Sequence, residues 1–262
     1  AVRDRDWLRR QTPEAARVTV TDVTSATAVL GVMGPNSRAL LSRLTPADLS
    51  DAKFPFGAAR EIEIGPVQVL AMRLSYVGEL GWELYIPSEH AVAVFDALLA
   101  EGAAHGLRLA GMHALDSCRL EKGFRHWGHD ISDEDTPLEA GLAFACAMDK
   151  AVPFIGREAL LRQRDAGLTR RLVHFALDDP APLLYHNEPI YRDGRIAGRL
   201  TSGAYGHTLG RAVGLGYIAD PDGVTAEYVR TGRYEIEVAG DRFPATASLR
   251  PLTDAGATRG RR

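Results

Sequence analysis

The spacing of apolar residues changes character several times along the chain, and each change marks an element. A charged helical pattern comes first, with a helix expected over residues 4–10 before Thr12-Pro13. From Val18 to Gly34 β-branched residues alternate, which predicts a strand that Gly34-Pro35-Asn36 ends. Ser37 then stands as the N-cap of a short helix whose leucines recur at helical spacing up to Leu44. Two strand-like runs follow, residues 59–65 and 67–76, joined at Gly65-Pro66; a loop holding Gly78 and Gly81 leads into a third, residues 82–87. Ser88 reads as the N-cap of a helix that stops at Gly102 or Gly106. A further helix, about residues 111–122, is expected to bury Ala114, Leu115, Cys118 and Leu120.

Strands and helices that mingle in this way predict an α+β region with an antiparallel sheet. Near Leu168 the texture changes. From Arg171 onward short strands alternate with turn signals, of which Asp193-Gly194 is the strongest hairpin turn, and a small carboxy-terminal β-barrel or sandwich is expected. The expected organisation is therefore residues 1–150 as the α+β region, 151–170 as a helical linker, 171–254 as the β-domain, and 255–262 as a disordered tail.

Composition changes this picture little. The chain has 262 residues with a formal net charge of −3, which gives no hint of a nucleic-acid or membrane surface, and no apolar run reaches a membrane span. Of 31 basic residues only Lys53, Lys122 and Lys150 are lysine, a bias of the kind GC-rich genomes produce. Two cysteines, Cys118 and Cys146, cannot build a disulfide framework; a buried thiol at Cys118 and a reducing, cytoplasmic, bacterial setting are the expectation. The start at Ala1, in a charged helix without methionine, reads as the middle of a longer protein.

The segment from Ser75 to Pro87 carries the most chemistry. Alternation puts Glu83 and Tyr85 on one face of a strand and Trp82, Leu84 and Ile86 on the other. A carboxylate flanked by aromatic rings suits a pterin or similar amidine-like heterocycle, because its two oxygens accept a bidentate pair from a ring N–H and its exocyclic amine. On pattern alone a surface glutamate beside a glycine-bearing bulge is the commoner occupant of such a position. His113, His126 and His129 form no HExxH pair, so hydrogen-bonding roles outweigh a metal there. The acidic run 130–139 lacks the alternation and central glycine of a calcium loop. Residues 201–218 hold five glycines but no GKS/T and no following helix, which favours close strand crossings over a phosphate cradle. No G-x-S-x-G elbow and no Cys–His pairing stands out as a hydrolase nucleophile.

Taken together, LGVMGPNSRALL, SYVGELGWELYIP, GMHALDSCRLEKGFRHWGHDI, TPLEAGLAFA and TSGAYGHTLGRAVGLGYI, in that order, resemble the glycine-cleavage T-protein (aminomethyltransferase) superfamily over nearly the whole chain. RLEKGFRHWGHDI, FIGREALLRQ, EPIYRDG and SGAYGHTLG look more like the folate module of FAD-dependent dimethylglycine and sarcosine dehydrogenases than the stand-alone T-protein. The resemblance implies ferredoxin-like antiparallel α+β subdomains that bind folate, followed by a small β-barrel. It implies tetrahydrofolate as cofactor, with FAD confined to an amino-terminal domain outside this chain. Its pterin-binding glutamate falls on Glu83, and the tyrosine by the reactive folate nitrogens, the nearest candidate for a catalytic residue, falls on Tyr76. Trp82, Glu79 and Arg119 follow as further cofactor-binding neighbours, and no metal is expected.

The implied activity is acceptance of the one-carbon unit released when an N-methyl amine of the dimethylglycine or sarcosine type is oxidatively demethylated, with reduced folate and the amine or its iminium as partners. Alternatives within the resemblance are a stand-alone aminomethyltransferase, a folate-dependent demethylase and a non-catalytic folate-binding protein. The sequence departs from the family pattern in three places. The catalytic aspartate has no counterpart, so little turnover is expected of this chain alone. Leu115 stands where stand-alone T-proteins carry an arginine, and Thr253 where an aromatic often sits.

Overall fold

The computed structural model describes residues 2–253, which fall into two compact units. The first holds the residues up to Ser75 together with Glu79–Arg108; the second holds Tyr76–Gly78 together with the residues from Leu109 onward. The expected disordered tail lies outside the described residues.

In the first unit, α1 (Val2–Gln11) precedes a four-stranded sheet made of β1 (Thr27–Met33), β2 (Ala59–Ile64), β3 (Val67–Met72) and β4 (Gly81–Pro87). The strand order is β1-β4-β3-β2 and every pairing is antiparallel. Alternation decides which face is buried: Ile62, Ile64, Val67, Val69, Ala71, Trp82, Leu84 and Ile86 all point into one core. The short helix α2 (Ser37–Leu41) and the longer α3 (Ala91–Gly102) supply Leu40, Leu41, Val94 and Leu98 to that core.

Three expectations needed correction here. The strand expected from Val18 begins only at Thr27; Val18 and Val23 are exposed, and alternation without a partner strand builds nothing. Ser37 is not an N-cap: Asn36 takes that place, and the Ser37 hydroxyl donates to the Leu80 carbonyl at 3.0 Å. Ser88 likewise opens a 3-10 turn before α3, with its hydroxyl donating to the Ser25 carbonyl.

The second unit contains α4 (Met112–Glu121), α5 (Arg157–Ala166) and a closed barrel. The barrel strands are β5 (Arg170–Leu177), β6 (Pro189–Arg192), β7 (Arg195–Gly206), β8 (Arg211–Ala219), β9 (Tyr234–Val238) and β10 (Asp241–Ser248), with α6 (Ala226–Thr231) between β8 and β9. They close in the order β10-β5-β8-β7-β6-β9, all antiparallel, which leaves no open sheet edge. Asp193 and Gly194 both have positive φ, as a two-residue hairpin turn requires, and Ala239-Gly240 repeats the arrangement between β9 and β10. Glycines mark strand crossings in this barrel: a Cβ on Gly198 would lie 1.8 Å from the Tyr217 carbonyl oxygen, and one on Gly216 2.7 Å from that of Arg199, whereas Gly210, with φ +70°, serves the turn between β7 and β8. Among the described residues no helix is long and apolar enough to cross a membrane.

The α4 helix is amphipathic in an unexpected sense. Ala114 is exposed and Cys118 only half-buried, whereas Ser117, Arg119, Leu120 and Glu121 are buried. The Ser117 hydroxyl donates to the Tyr205 carbonyl at 2.6 Å, and Arg119 and Glu121 are held by bonds described below, which is how burial of charge overrides an apolar pattern.

His174 on β5 is buried, and its Nδ1 accepts the Leu252 N–H at 3.1 Å. Burial lowers its pKa from 6.5 to about 4. The unfolded chain therefore binds a proton near pH 6.5 that the folded chain takes up only near 4. Stability is expected to fall as pH drops through that window, by about 3 kcal/mol in all. Urea midpoints measured from pH 7 to 4 should show this extra acid sensitivity in the wild type and not in His174→Gln.

Candidate functional site

Glu83 lies near the middle of β4, between β1 and β3, where it pairs with Gly31 on one side and Met72 on the other. It points away from the core, on the face that also carries Tyr85, Val29 and Leu70. The Tyr85 hydroxyl donates to Glu83 Oε2 at 2.8 Å, and this bond to a carboxylate raises the tyrosine pKa. Glu83 Oε1 accepts no hydrogen bond among the described residues. With a glycine as its neighbour on β1, the carboxylate has one oxygen held and the other open beside a position without a side chain. Tyr85 was legible as a same-face neighbour two residues on; its role as the residue that aims Glu83 was not.

Trp82, the adjacent residue, points the opposite way. It is fully buried, edge-on to Phe54 at 6.1 Å, with the guanidinium groups of Arg38 and Arg73 at 5.9 and 5.7 Å from its ring centroid. It belongs to the core under Glu83 rather than to the open face. Trp82→Phe is therefore expected to lower the thermal midpoint by several degrees while changing ligand affinity at Glu83 less than twofold. Calorimetric melting and ligand titration of the same variant would check both halves. Glu79 is half-buried in the loop before β4 and makes no side-chain bond among the described residues. Gly81 is obligatory there, since a Cβ would come 2.6 Å from the Val32 carbonyl oxygen.

Tyr76 belongs to the second unit. Its hydroxyl donates to the Arg125 carbonyl at 2.8 Å, and its ring stacks on Phe124 with centroids 6.0 Å apart and planes 15° from parallel. Partial burial raises its pKa, so it is a neutral phenol at physiological pH. The segment it leans on is fixed by two arginines. Arg125 donates to the carbonyls of Gly123 and Ala140 at 2.7 and 2.9 Å. Arg119, 2% exposed, spends its guanidinium on Asp116 at 3.0 Å, the Phe124 carbonyl at 3.1 Å, Asp130 at 2.5 Å and the Ser202 hydroxyl at 2.8 Å. Asp130 is equally buried and also accepts from the His126 N–H at 2.9 Å and the Thr201 hydroxyl at 2.5 Å. Arg119 thus braces the wall behind Tyr76, with four of its five N–H donors already used.

The remaining motif residues have structural work. His126 and His129 lie with ring centroids 4.4 Å apart, and His126 Nδ1 is 3.8 Å from Asp116. Among the described residues no group of three His, Cys, Asp or Glu side chains could hold a metal ion. The glycine-rich turn between β7 and β8 holds a carboxylate of the protein itself: Glu121 Oε1 accepts the N–H groups of Thr208 and Leu209 at 2.7 and 3.0 Å. Thr253 donates its hydroxyl to the Glu121 carbonyl at 2.6 Å, a bond that a larger aromatic at that position could not make.

An antiparallel α+β sheet with an outward carboxylate, followed by a closed six-stranded barrel, defines the class of an aminomethyltransferase-like protein. Residues 1–150 match the model of the GCVT N-terminal domain, and residues 170–254 that of the glycine cleavage T-protein C-terminal barrel domain. The chain belongs to the glycine cleavage T-protein family. It is 48% identical over 235 residues to a 4-methylaminobutanoate oxidase (formaldehyde-forming) of Paenarthrobacter nicotinovorans, covering 90% of this chain and 28% of that protein. It is 45% identical over 228 residues to the mitochondrial sarcosine dehydrogenase of Homo sapiens, covering 86% of this chain and 25% of the relative. The chain therefore spans little more than a quarter of these relatives. Its fold matches that of the glycine cleavage system aminomethyltransferase T from Bartonella henselae, with a TM-score of 0.73 at 24% identity over 87% of this chain and 60% of the other.

Proposed function

We propose that this chain is a tetrahydrofolate-binding module that accepts the one-carbon unit released by oxidative demethylation of an N-methyl amine of the dimethylglycine or sarcosine type, giving methylene-tetrahydrofolate. The observation that carries the reading is the Glu83 carboxylate: Tyr85 holds one oxygen, the other is open, and the group faces outward from the sheet. This is the acceptor pair that the N–H and exocyclic amine of a pterin call for. The names of the two relatives above support the amine class, one being an oxidase of a methylamino acid that forms formaldehyde and the other a sarcosine dehydrogenase.

The residues fit a reduced folate in kind. Glu83 would read the pterin, and Tyr76 would stand by the reactive nitrogens, as its neutral phenol can accept or donate a proton there. When bound, the reduced folate supplies the nitrogens that capture the carbon. This chain's part is to orient it and to keep the phenol in place through Phe124 and the Arg125 carbonyl. A flavin that oxidises the amine would be held outside this chain, whose residues are given no part in that step. Titration of the protein with 5-formyltetrahydrofolate, wild type against Glu83→Ala, tests the reading; equal affinities would remove Glu83 from the site.

A further inference from the structure

The open face of the first unit's sheet is laid out in rows that the register fixes. Tyr85 stands between Val29 on β1 and Leu70 on β3, apolar side chains that are 51% and 40% exposed. One row along, Glu83 stands between Gly31 and Met72. In the row beyond, Met33 faces Gly81, and its sulfur lies where a Cβ on Gly81 would be. The row of Glu83 is therefore filled on the β3 side and bare on the β1 side. The gap has Gly31 as its floor and Glu83 at its head. Val29 and Met33 form its two ends, about 13 Å apart along the strand.

Glycine in a strand interior weakens the strand, and it is normally explained by a bulge, a special backbone conformation or the close approach of other atoms. None of these applies to Gly31. The pairing of β1 with β4 runs without a shift from Thr27 to Met33. Gly31 has no positive φ. Among the described residues a Cβ there would meet only Met33 Cε within 4 Å, at 3.8 Å, an ordinary van der Waals contact. At Gly81, Gly198 and Gly216, by contrast, protein atoms fill the place of the missing side chain. The space over Gly31 is left open, beside the open oxygen of Glu83.

We propose that Gly31 is a specificity-determining position whose bare backbone is the floor on which the flat ring of the bound ligand lies. The proposal rests on the folate reading for the identity of that ring. A strand accepts alanine or a β-branched residue more readily than glycine, so the fold gains from a side chain here while the site loses its floor. Stability and affinity are set against each other at this one position, whereas a glycine kept for the fold would move both the same way.

The experiment compares the wild type with Gly31→Ala, Gly31→Val and Glu83→Ala, by thermal melting and by titration with 5-formyltetrahydrofolate. Neither Gly31 variant is expected to melt below the wild type, and the alanine form should melt about 1–4 °C higher. Affinity is expected to fall with the size of the added group, about fivefold for alanine and about a hundredfold for valine. Wild-type affinity in Gly31→Val, with binding lost in Glu83→Ala, overturns this proposal and leaves the folate reading standing. Binding lost in Gly31→Val but kept in Glu83→Ala supports Gly31 as the floor and takes Glu83 out of the site. A midpoint that falls in Gly31→Ala makes the glycine structural and overturns the proposal. A wild-type protein that binds no 5-formyltetrahydrofolate overturns both readings together.

Discussion

Replacing Glu83 with glutamine is expected to weaken binding of a reduced folate about a hundredfold. The change keeps the size of the side chain but replaces one acceptor oxygen with an amide that only donates. A ligand edge offering two donors then meets one acceptor and one opposing donor. Hydrogen bonds to a charged partner are worth about 1.5–3 kcal/mol each, and an unmatched donor adds its own desolvation cost, so a loss of about 3 kcal/mol is the natural scale. Tyr85→Phe provides the internal comparison. It leaves the charge and removes only the 2.8 Å bond that aims it, so a loss of about tenfold or less is expected. Fluorescence titration of the three proteins would rank them. A glutamine variant that binds as well as the wild type would show that the carboxylate is not in contact with the ligand.

The largest stability effect is expected at Arg119. Leucine at this position leaves Asp130, whose side chain is 0% exposed, without its ionic partner in a dry site. Removing one member of a buried pair costs about 3–5 kcal/mol, against a typical domain stability of about 5–15 kcal/mol. The variant should show a urea midpoint well below that of the wild type, and Asp130→Leu combined with Arg119→Leu should recover part of the loss. If Arg119 were instead a ligand contact with spare donors, Arg119→Leu would reduce affinity and leave stability within about 1 kcal/mol. The four bonds to Asp116, Phe124, Asp130 and Ser202 favour the stability effect.

The legible parts of the molecule are those governed by period and turn chemistry. The alternation of residues 82–87 placed Glu83 and Tyr85 opposite Trp82, and the sheet keeps that division. Asp193-Gly194 announced its hairpin, and the glycines of residues 201–218 were readable as turns and strand crossings because no GKS/T and no following helix suited an anion; Gly214 and Gly216 lie at crossings, and Gly210 takes a positive φ in the turn. What local pattern could not supply is the choice among hydrogen-bond partners. Ser37 and Ser88 both look like caps, yet each hydroxyl finds a carbonyl far along the chain, Leu80 and Ser25. The buried face of α4 was misread for the same reason. Arg119 and Glu121 are tolerated inside only because β7, the turn after it and the 124–130 loop bring Ser202, Thr208, Leu209 and Asp130 to them. Those partners lie up to 88 positions away, beyond the reach of any helical period.

The central claim is that this chain, by itself, holds one reduced folate. Calorimetric titration of the wild-type protein with tetrahydrofolate under anaerobic conditions tests it most directly. The account expects a saturable isotherm with one folate per chain and a dissociation constant on the order of micromolar, abolished or strongly weakened in Glu83→Gln. Absence of saturable binding up to about millimolar folate, in a protein that melts cooperatively, would contradict it.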